Sequence, residues 1–264
     1  MIHNILRSKS TRLFIILGGF FIANALIAEV IGVKIFSMED TLGVKRANIQ
    51  LFGSPFSFHL TAGVLLWPVV FIMTDIINEY YGPRGVKFLS YIAIGLISYS
   101  FLIYNAAIHL APSEYFSIGN GIDRPNDAFK GIFGQGLWII IGSIIAFLIG
   151  QLLDVLVFHR IKRMTGDKNM WLRATGSTIV SQLVDSFVVL FIAFYIGKRI
   201  QSGQGEPWSM HQVFVTGTGN YIYKFIVAIL LTPLIYFAHG LIEKYLGSET
   251  ASEMKAAAMR KESV

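Results

Sequence analysis

Leu65-Leu-Trp-Pro-Val-Val-Phe-Ile-Met-Thr-Asp-Ile-Ile-Asn-Glu-Tyr-Tyr-Gly-Pro-Arg84 is an apolar run long enough to enter a membrane, yet it carries Asp75, Asn78 and Glu79 near its end. An ionisable side chain at mid-bilayer costs about 3 kcal/mol or more, so such groups persist where they face a protein interior, a partner or water. On a helix, positions 75, 78 and 79 stand at i, i+3 and i+4 and share one face, while Trp67, Phe71, Ile76 and Ile77 cover the others. One side of this stretch is polar and aimed at something. Gly82-Pro83 ends it, because proline cannot continue the hydrogen-bond ladder and restricts the residue before it.

The chain has 264 residues, 54% hydrophobic and 14% charged, where soluble domains carry about 25% charged residues. That balance reads as an all-α integral membrane protein. A net charge of +6 and a pI near 9.4 would suit nucleic acid, but the basic residues fall between apolar runs and form no continuous patch, which argues against that partner. With no cysteine there is neither a disulfide framework nor a thiolate metal site. The six histidines sit mostly at the ends of apolar runs, without HExxH spacing, so neither metal nor cofactor is expected.

Six segments meet the roughly 20 apolar residues that a spanning helix needs: 13–36, 58–81, 87–110, 135–158, 174–197 and 213–245. The last is long enough to tilt or to run beyond the bilayer. The first has a rival reading as a cleaved signal peptide, since Arg7, Lys9 and Arg12 precede an apolar core and Ala23-Asn-Ala25 resembles a cleavage site. Apolar character that continues to Phe36 favours a retained helix. Assigning the N-terminus, the turn after the second segment, the loop after the fourth and the C-terminus to one side gathers 14 Lys and Arg there, against 6 on the other. Both termini are therefore expected in the cytoplasm. Segments 36–57 and 111–134 become external loops, the second a candidate lid. Residues 1–247 read as one transmembrane domain, and 248–264 as a cytoplasmic tail, a solvated or surface-lying helix of little functional weight.

More polar side chains fall at membrane depth: Asn24 and Glu29 in the first segment, Gln151 and Asp154 in the fourth, Gln182 and Asp185 in the fifth, Asn220 and Lys224 in the sixth. With Trp67, Asp75, Asn78 and Glu79 they make up a candidate substrate-binding set. Gln151-Leu-Leu-Asp154 and Gln182-Leu-Val-Asp185 share one spelling, and each offers an amide and a carboxylate one turn apart. At 1.5 Å per residue the set runs across much of the membrane, as a substrate path requires and a purely structural bundle does not. Glu29, Asp75, Asp154 and Asp185 face one clearly interior cation, Lys224, so the surplus carboxylates call for a proton or a cationic cargo. The bland alternatives are a structural pairing of Lys224 with Asp185 or Glu29, an interfacial Glu79 and Arg84 flanking the turn, and a membrane-belt role for Trp67, Trp138 and Trp208.

Asn24-Ala-Leu-Ile-Ala-Glu-Val-Ile-Gly-Val-Lys34, Trp67-Pro68, Thr74-Asp-Ile-Ile-Asn-Glu-Tyr-Tyr-Gly82, Ser181-Gln-Leu-Val-Asp-Ser186, Lys224 and Thr232-Pro-Leu-Ile-Tyr236 resemble the queuosine-precursor transporter family, also called the vitamin uptake transporter family. The resemblance covers nearly the whole chain, and the block around Asp75 is its most specific part. It implies a six-helix carrier in the bacterial cytoplasmic membrane, related in fold to the substrate-binding subunits of energy-coupling-factor importers. It also implies a 7-deazaguanine cargo, such as 7-cyano- or 7-aminomethyl-7-deazaguanine. A carboxylate accepts from the ring N–H and exocyclic amine of such a base, amides and Lys meet its carbonyl, and Trp67, Tyr91, Trp138 or Tyr223 offers a stacking surface. The expected partners are this deazapurine and the lipid bilayer, with a homo-oligomer left open. Two rivals remain: a capture subunit that needs a separate ATPase, and an intramembrane hydrolase using Asp154 and Asp185. The second lacks a Gly-x-Gly-Asp setting and a nucleophile elbow.

Overall fold

The computed structural model describes residues 8–45, 49–51, 53–56, 58–118, 122–134, 137–166, 170–200 and 206–260. Arg7, Gln135, Lys261 and three residues of the expected lid, 119–121, lie outside them. Helix α1 (Lys9–Ile31) is capped by the Ser8 hydroxyl, which accepts from the Thr11 N–H. Leu13, Leu17, Phe21 and Ala25 recur every four residues as its buried stripe, while Ile15, Ile16 and Phe20 are exposed. Apolar residues all round a helix, half of them facing outward, are what a lipid-embedded element needs.

Between α1 and the next long helix the expected external loop has structure of its own. Strand β1 (Ile35–Ser37), helix α2 (Met38–Leu42), a β2 (Ile49–Leu51) and β3 (Ser54–Phe56) ladder, and strand β4 (His59–Thr61) follow, with β1 and β4 paired antiparallel. Buried Glu39 clips this segment by accepting from the Phe58 N–H at 2.9 Å. Burial pushes its carboxyl up, but the bonds from the Phe58 N–H, its own N–H and the Ser37 hydroxyl outweigh that and hold it below the usual glutamate value.

Helix α3 (Trp67–Ile108) is two helical arms that meet at Gly82-Pro83, where the sequence places a stop; only the expected loop after it is missing. It runs for 42 residues with one non-helical residue, Gly82 (φ 70°, ψ −176°), and resumes at Pro83 without a loop. A side chain at Gly63, just before α3, would abut the Ala28 carbonyl, the Tyr81 hydroxyl donates to the Ser10 carbonyl at 2.7 Å, and Leu89 lies against Gly18. The first arm therefore runs antiparallel to α1 and the second returns parallel to it, so the second and third expected segments are two arms of one elbow.

Helices α4 (Pro125–Phe133), α5 (Leu137–Thr165) and α6 (Met170–Leu190) follow, and α5 with α6 is the most extensively packed pair. Past α6 the coil widens into a π-helix over Phe191–Gly197 before the short α7 (Lys198–Ile200). The expected single span 213–245 is broken instead into α8 (Met210–Leu230) and α9 (Thr232–Leu246), because Pro233 in the first turn of α9 cannot donate back into α8. Among the described residues, five helical stretches, beginning at Lys9, Trp67, Pro125, Trp171 and Met210, are long and apolar enough to cross a membrane. The tail is not merely solvated: it forms α10 (Ser248–Arg260), whose buried Ala251 and Ala258 face the rest of the protein, with Ala258 against Gly82.

Two outcomes follow. Gly82→Ala puts a Cβ where φ is positive and the Ala258 carbonyl lies 3.3 Å away; the substitution should cost about 1–3 kcal/mol, read as a lower melting temperature in detergent. Because Glu39 is held below its usual value, its contribution is present above the ordinary glutamate range near pH 4 and fades as pH falls below it. Protection of the Phe58 amide, corrected for intrinsic exchange, should therefore drop on acidification and not on alkalinisation.

Candidate substrate-binding site

The first arm of α3 and helices α5 and α6 bring their polar faces together. Their residues sort into three levels between the two ends of the bundle. At the level of the α3 elbow, Glu79 is fully buried and accepts from Lys162 Nζ at 3.0 Å and from an Arg173 Nη at 2.8 Å, both cations being buried as well. Arg173 also donates to the Gly166 carbonyl, and Asn78 meets the His159 ring at 2.6 Å. This corrects two expectations. Glu79 is no interfacial residue beside Arg84, which is exposed, and Lys224 is not the single interior cation.

One level up, Thr74 bonds Gln151 at 3.0 Å, and Asp154 accepts from Ser181 at 3.3 Å and Thr178 at 3.5 Å. Ser177 stands between Asp75 and Asp154, within reach of both. One oxygen of each carboxylate, Asp75 Oδ1 and Asp154 Oδ2, has no hydrogen-bond partner. Next to this level lies a cavity of about 460 Å³ lined by Trp67, Phe71, Asp75, Thr178, Gln182 and Lys224, among others. Gln182 is buried in its wall and its Nε2 is also without a partner. The inner cavity is thus lined by a carboxylate, an amide, an ammonium and an indole.

A second, outer cavity of about 780 Å³ is lined by Glu29, Ser143, Asp185, Asn220 and Lys224, together with Trp67 and Phe147. Lys224 donates to Asp185, and Ser143 donates to Glu29. The Lys224 and Asp185 side chains are 12% and 17% exposed, so this ion pair borders open space, unlike the sealed one at Glu79. Val64, Trp67 and Lys224 line both cavities. Because α5 and α6 run antiparallel, the two Gln-Leu-x-Asp spellings are crossed: Asp154 faces Ser181, while Asp185 stands opposite Gly150.

Of the sequence candidates, Trp67, Asp75, Gln182 and Lys224 meet at the inner cavity, and Trp67, Glu29, Asp185, Asn220 and Lys224 at the outer one. Asn78, Glu79, Gln151 and Asp154 line neither and form the polar layer beneath. Asn24 is placed elsewhere, its amide donating to the Phe20 carbonyl of its own helix at 2.8 Å. Trp138 packs on Gly197 and Trp208 stacks on Phe194, with ring centroids 4.4 Å apart.

The family described as "Putative vitamin uptake transporter" matches residues 61–238. The chain belongs to that vitamin uptake transporter family. Its curated relatives include a "Probable queuosine precursor transporter" of Bacillus subtilis, 30% identical over 74% of this chain and 80% of the relative. A protein of the same name from Haemophilus influenzae is 29% identical over 67% of this chain and 66% of its own length. The "Queuosine precursor transporter" of Escherichia coli is 27% identical over 71% of this chain and 76% of its own. No solved structure matches. The family is one of transporters and not of enzymes, and the chain is a multi-pass membrane protein. The stretch that carries the vitamin uptake transporter match contains every residue that lines the inner cavity.

Lys162, Arg173, His159 and the hydroxyls of Thr74, Ser177, Thr178 and Ser181 escaped the sequence reading. Spacing held a signal for the first two. Lys162 follows Gln151 and Asp154 at i+11 and i+8, and Arg173 precedes Ser177 and Ser181 at four-residue steps, so both lie on faces already marked as polar. Counting them as loop charge by the positive-inside rule concealed this. Glu79→Ala strands two buried cations and should cost about 3–5 kcal/mol, whereas Arg84→Ala on the exposed side should stay within about 0.5 kcal/mol. Chemical unfolding in detergent micelles measures both.

Proposed function

We propose that the chain imports a queuosine precursor, a guanine-like 7-deazapurine, across the bacterial cytoplasmic membrane. The observation that carries this reading is that Asp75 and Gln182 both line the inner cavity and that each keeps a buried polar atom, Oδ1 and Nε2, without a hydrogen-bond partner. Buried polar groups are normally bonded, and orphans on a cavity wall mark where a ligand completes them. A guanine-like edge fits: its ring N–H and exocyclic amine donate to Asp75, its carbonyl accepts from Gln182 or Lys224, and Trp67 covers the ring.

The α3 elbow supports a count of six crossings, with each arm traversing once, and the basic excess near the elbow and both termini supports a cytoplasmic placement of that end. The Glu79 cluster then closes the cytoplasmic side while the cavities lie beyond it, which suits alternating access. Asp75 and Asp154, two buried carboxylates sharing Ser177 with no ion-pair partner among the described residues, support coupling to a proton.

The test is rescue. Expressed in cells that make no 7-deazaguanine, the chain should restore queuosine-modified tRNA from supplied precursor. Asp75→Asn loses the charged acceptor, worth about 1.5–3 kcal/mol, so half-maximal rescue should need roughly 10- to 150-fold more precursor at equal expression. Wild-type behaviour of Asp75→Asn would overturn the site, and vesicle uptake indifferent to a pH gradient would overturn the coupling.

A further inference from the structure

We propose that the outer cavity is a second binding site for the same planar base, occupied before the inner one, with the Lys224–Asp185 ion pair as the barrier between them. The proposal rests on the cargo reading above and adds a site to it.

The two cavities repeat one set of chemical groups. The inner one holds a carboxylate, Asp75, a primary amide, Gln182, and the indole of Trp67. The outer one holds carboxylates Glu29 and Asp185, a primary amide, Asn220, and that same indole. Carboxylate for an N–H edge, amide for a carbonyl and an aromatic wall for a flat ring constitute what a guanine-like base requires. One indole bordering two spaces offers a ring surface to each, so a base passing from one to the other keeps an aromatic contact.

Lys224 stands where the exchange must happen. It borders both spaces, it is held by Asp185, which borders only the outer one, and Asp75, which borders only the inner one, has an oxygen to spare. A base whose N–H edge bonds Asp185 competes directly with the ammonium for that carboxylate. The displaced ammonium, on a flexible four-carbon stem, turns toward Asp75 until the base moves inward, when the N–H edge takes Asp75 and the ammonium returns to Asp185. Arrival of cargo outside thereby withdraws the barrier to the inner site. The opposite charges nearby are complete on the other sides too: Glu29 on α1 is bonded by Ser143 on α5, and Arg173 and Lys162 are committed to Glu79 a level below.

Equilibrium binding of tritiated 7-cyano-7-deazaguanine to the full chain in lipid nanodiscs tests this. Two molecules per chain are expected for the wild type. Asn220→Leu, altering a residue that borders only the outer cavity, should leave one, and Asp75→Asn should leave one of the other kind. Melting of each variant in the same nanodiscs confirms its fold, and the wild-type stoichiometry requires no variant. Saturation at one molecule per chain overturns the second site and spares the cargo reading. Two molecules whose affinities are untouched by Asn220→Leu and Glu29→Gln overturn the placement. A folded wild type that binds none overturns the cargo reading, and this proposal falls with it.

Discussion

A carboxylate with no exposure in a lipid-embedded bundle must be answered by cations, and Glu79 is answered twice. Lys162 from α5 and Arg173 from α6 each take one oxygen of it. Desolvating three charges is costly, and the geometry that offsets the cost fixes three helices in mutual register. Everything above that cluster inherits its position: Asp75 sits one turn up α3, Asp154 two turns up α5, and Ser177 one turn up α6. The pocket chemistry is possible because its walls are bolted together at the base.

The cluster also separates two uses of charge in one chain. At the elbow end, acid and base are matched and sealed. Further along, Asp75 and Gln182, both lining the inner cavity, each keep a buried polar atom without a partner, and Lys224 pairs with Asp185 at the border of two cavities. A polar group that is fully satisfied holds a fold, and one left unsatisfied at a cavity invites a ligand. Membership of the vitamin uptake transporter family agrees with that division.

Much of this was legible in the residues. The spacing of Asp75, Asn78 and Glu79 on one apolar helix announced a polar face, and the amide and carboxylate pairs of the fourth and fifth segments pointed to the helices that meet it. What sequence could not separate was depth from direction. Lys162 and Arg173 look like loop charges because both stand within a few residues of Gly166, and only the continuation of α5 and the early start of α6 carry them inside. Gly82-Pro83 spells a stop and the helix does break there; what local rules do not give is that a glycine at positive φ turns the chain through one residue, straight into a second arm. The end of the sixth segment misled in the opposite sense, since a long apolar run hides a break that Pro233 makes. The role of α10 was invisible because alanines facing a glycine look like surface filler.

The partners of Glu79 are 83 and 94 residues further along the chain. Ribosomes add about 5–20 residues per second, so the first three apolar stretches wait roughly 4 to 19 seconds before their counter-ions emerge. During that interval the Glu79 carboxylate is without the two cations that answer it in the finished bundle. The cluster that sets the register of three helices therefore closes only after the trailing pair has been synthesised.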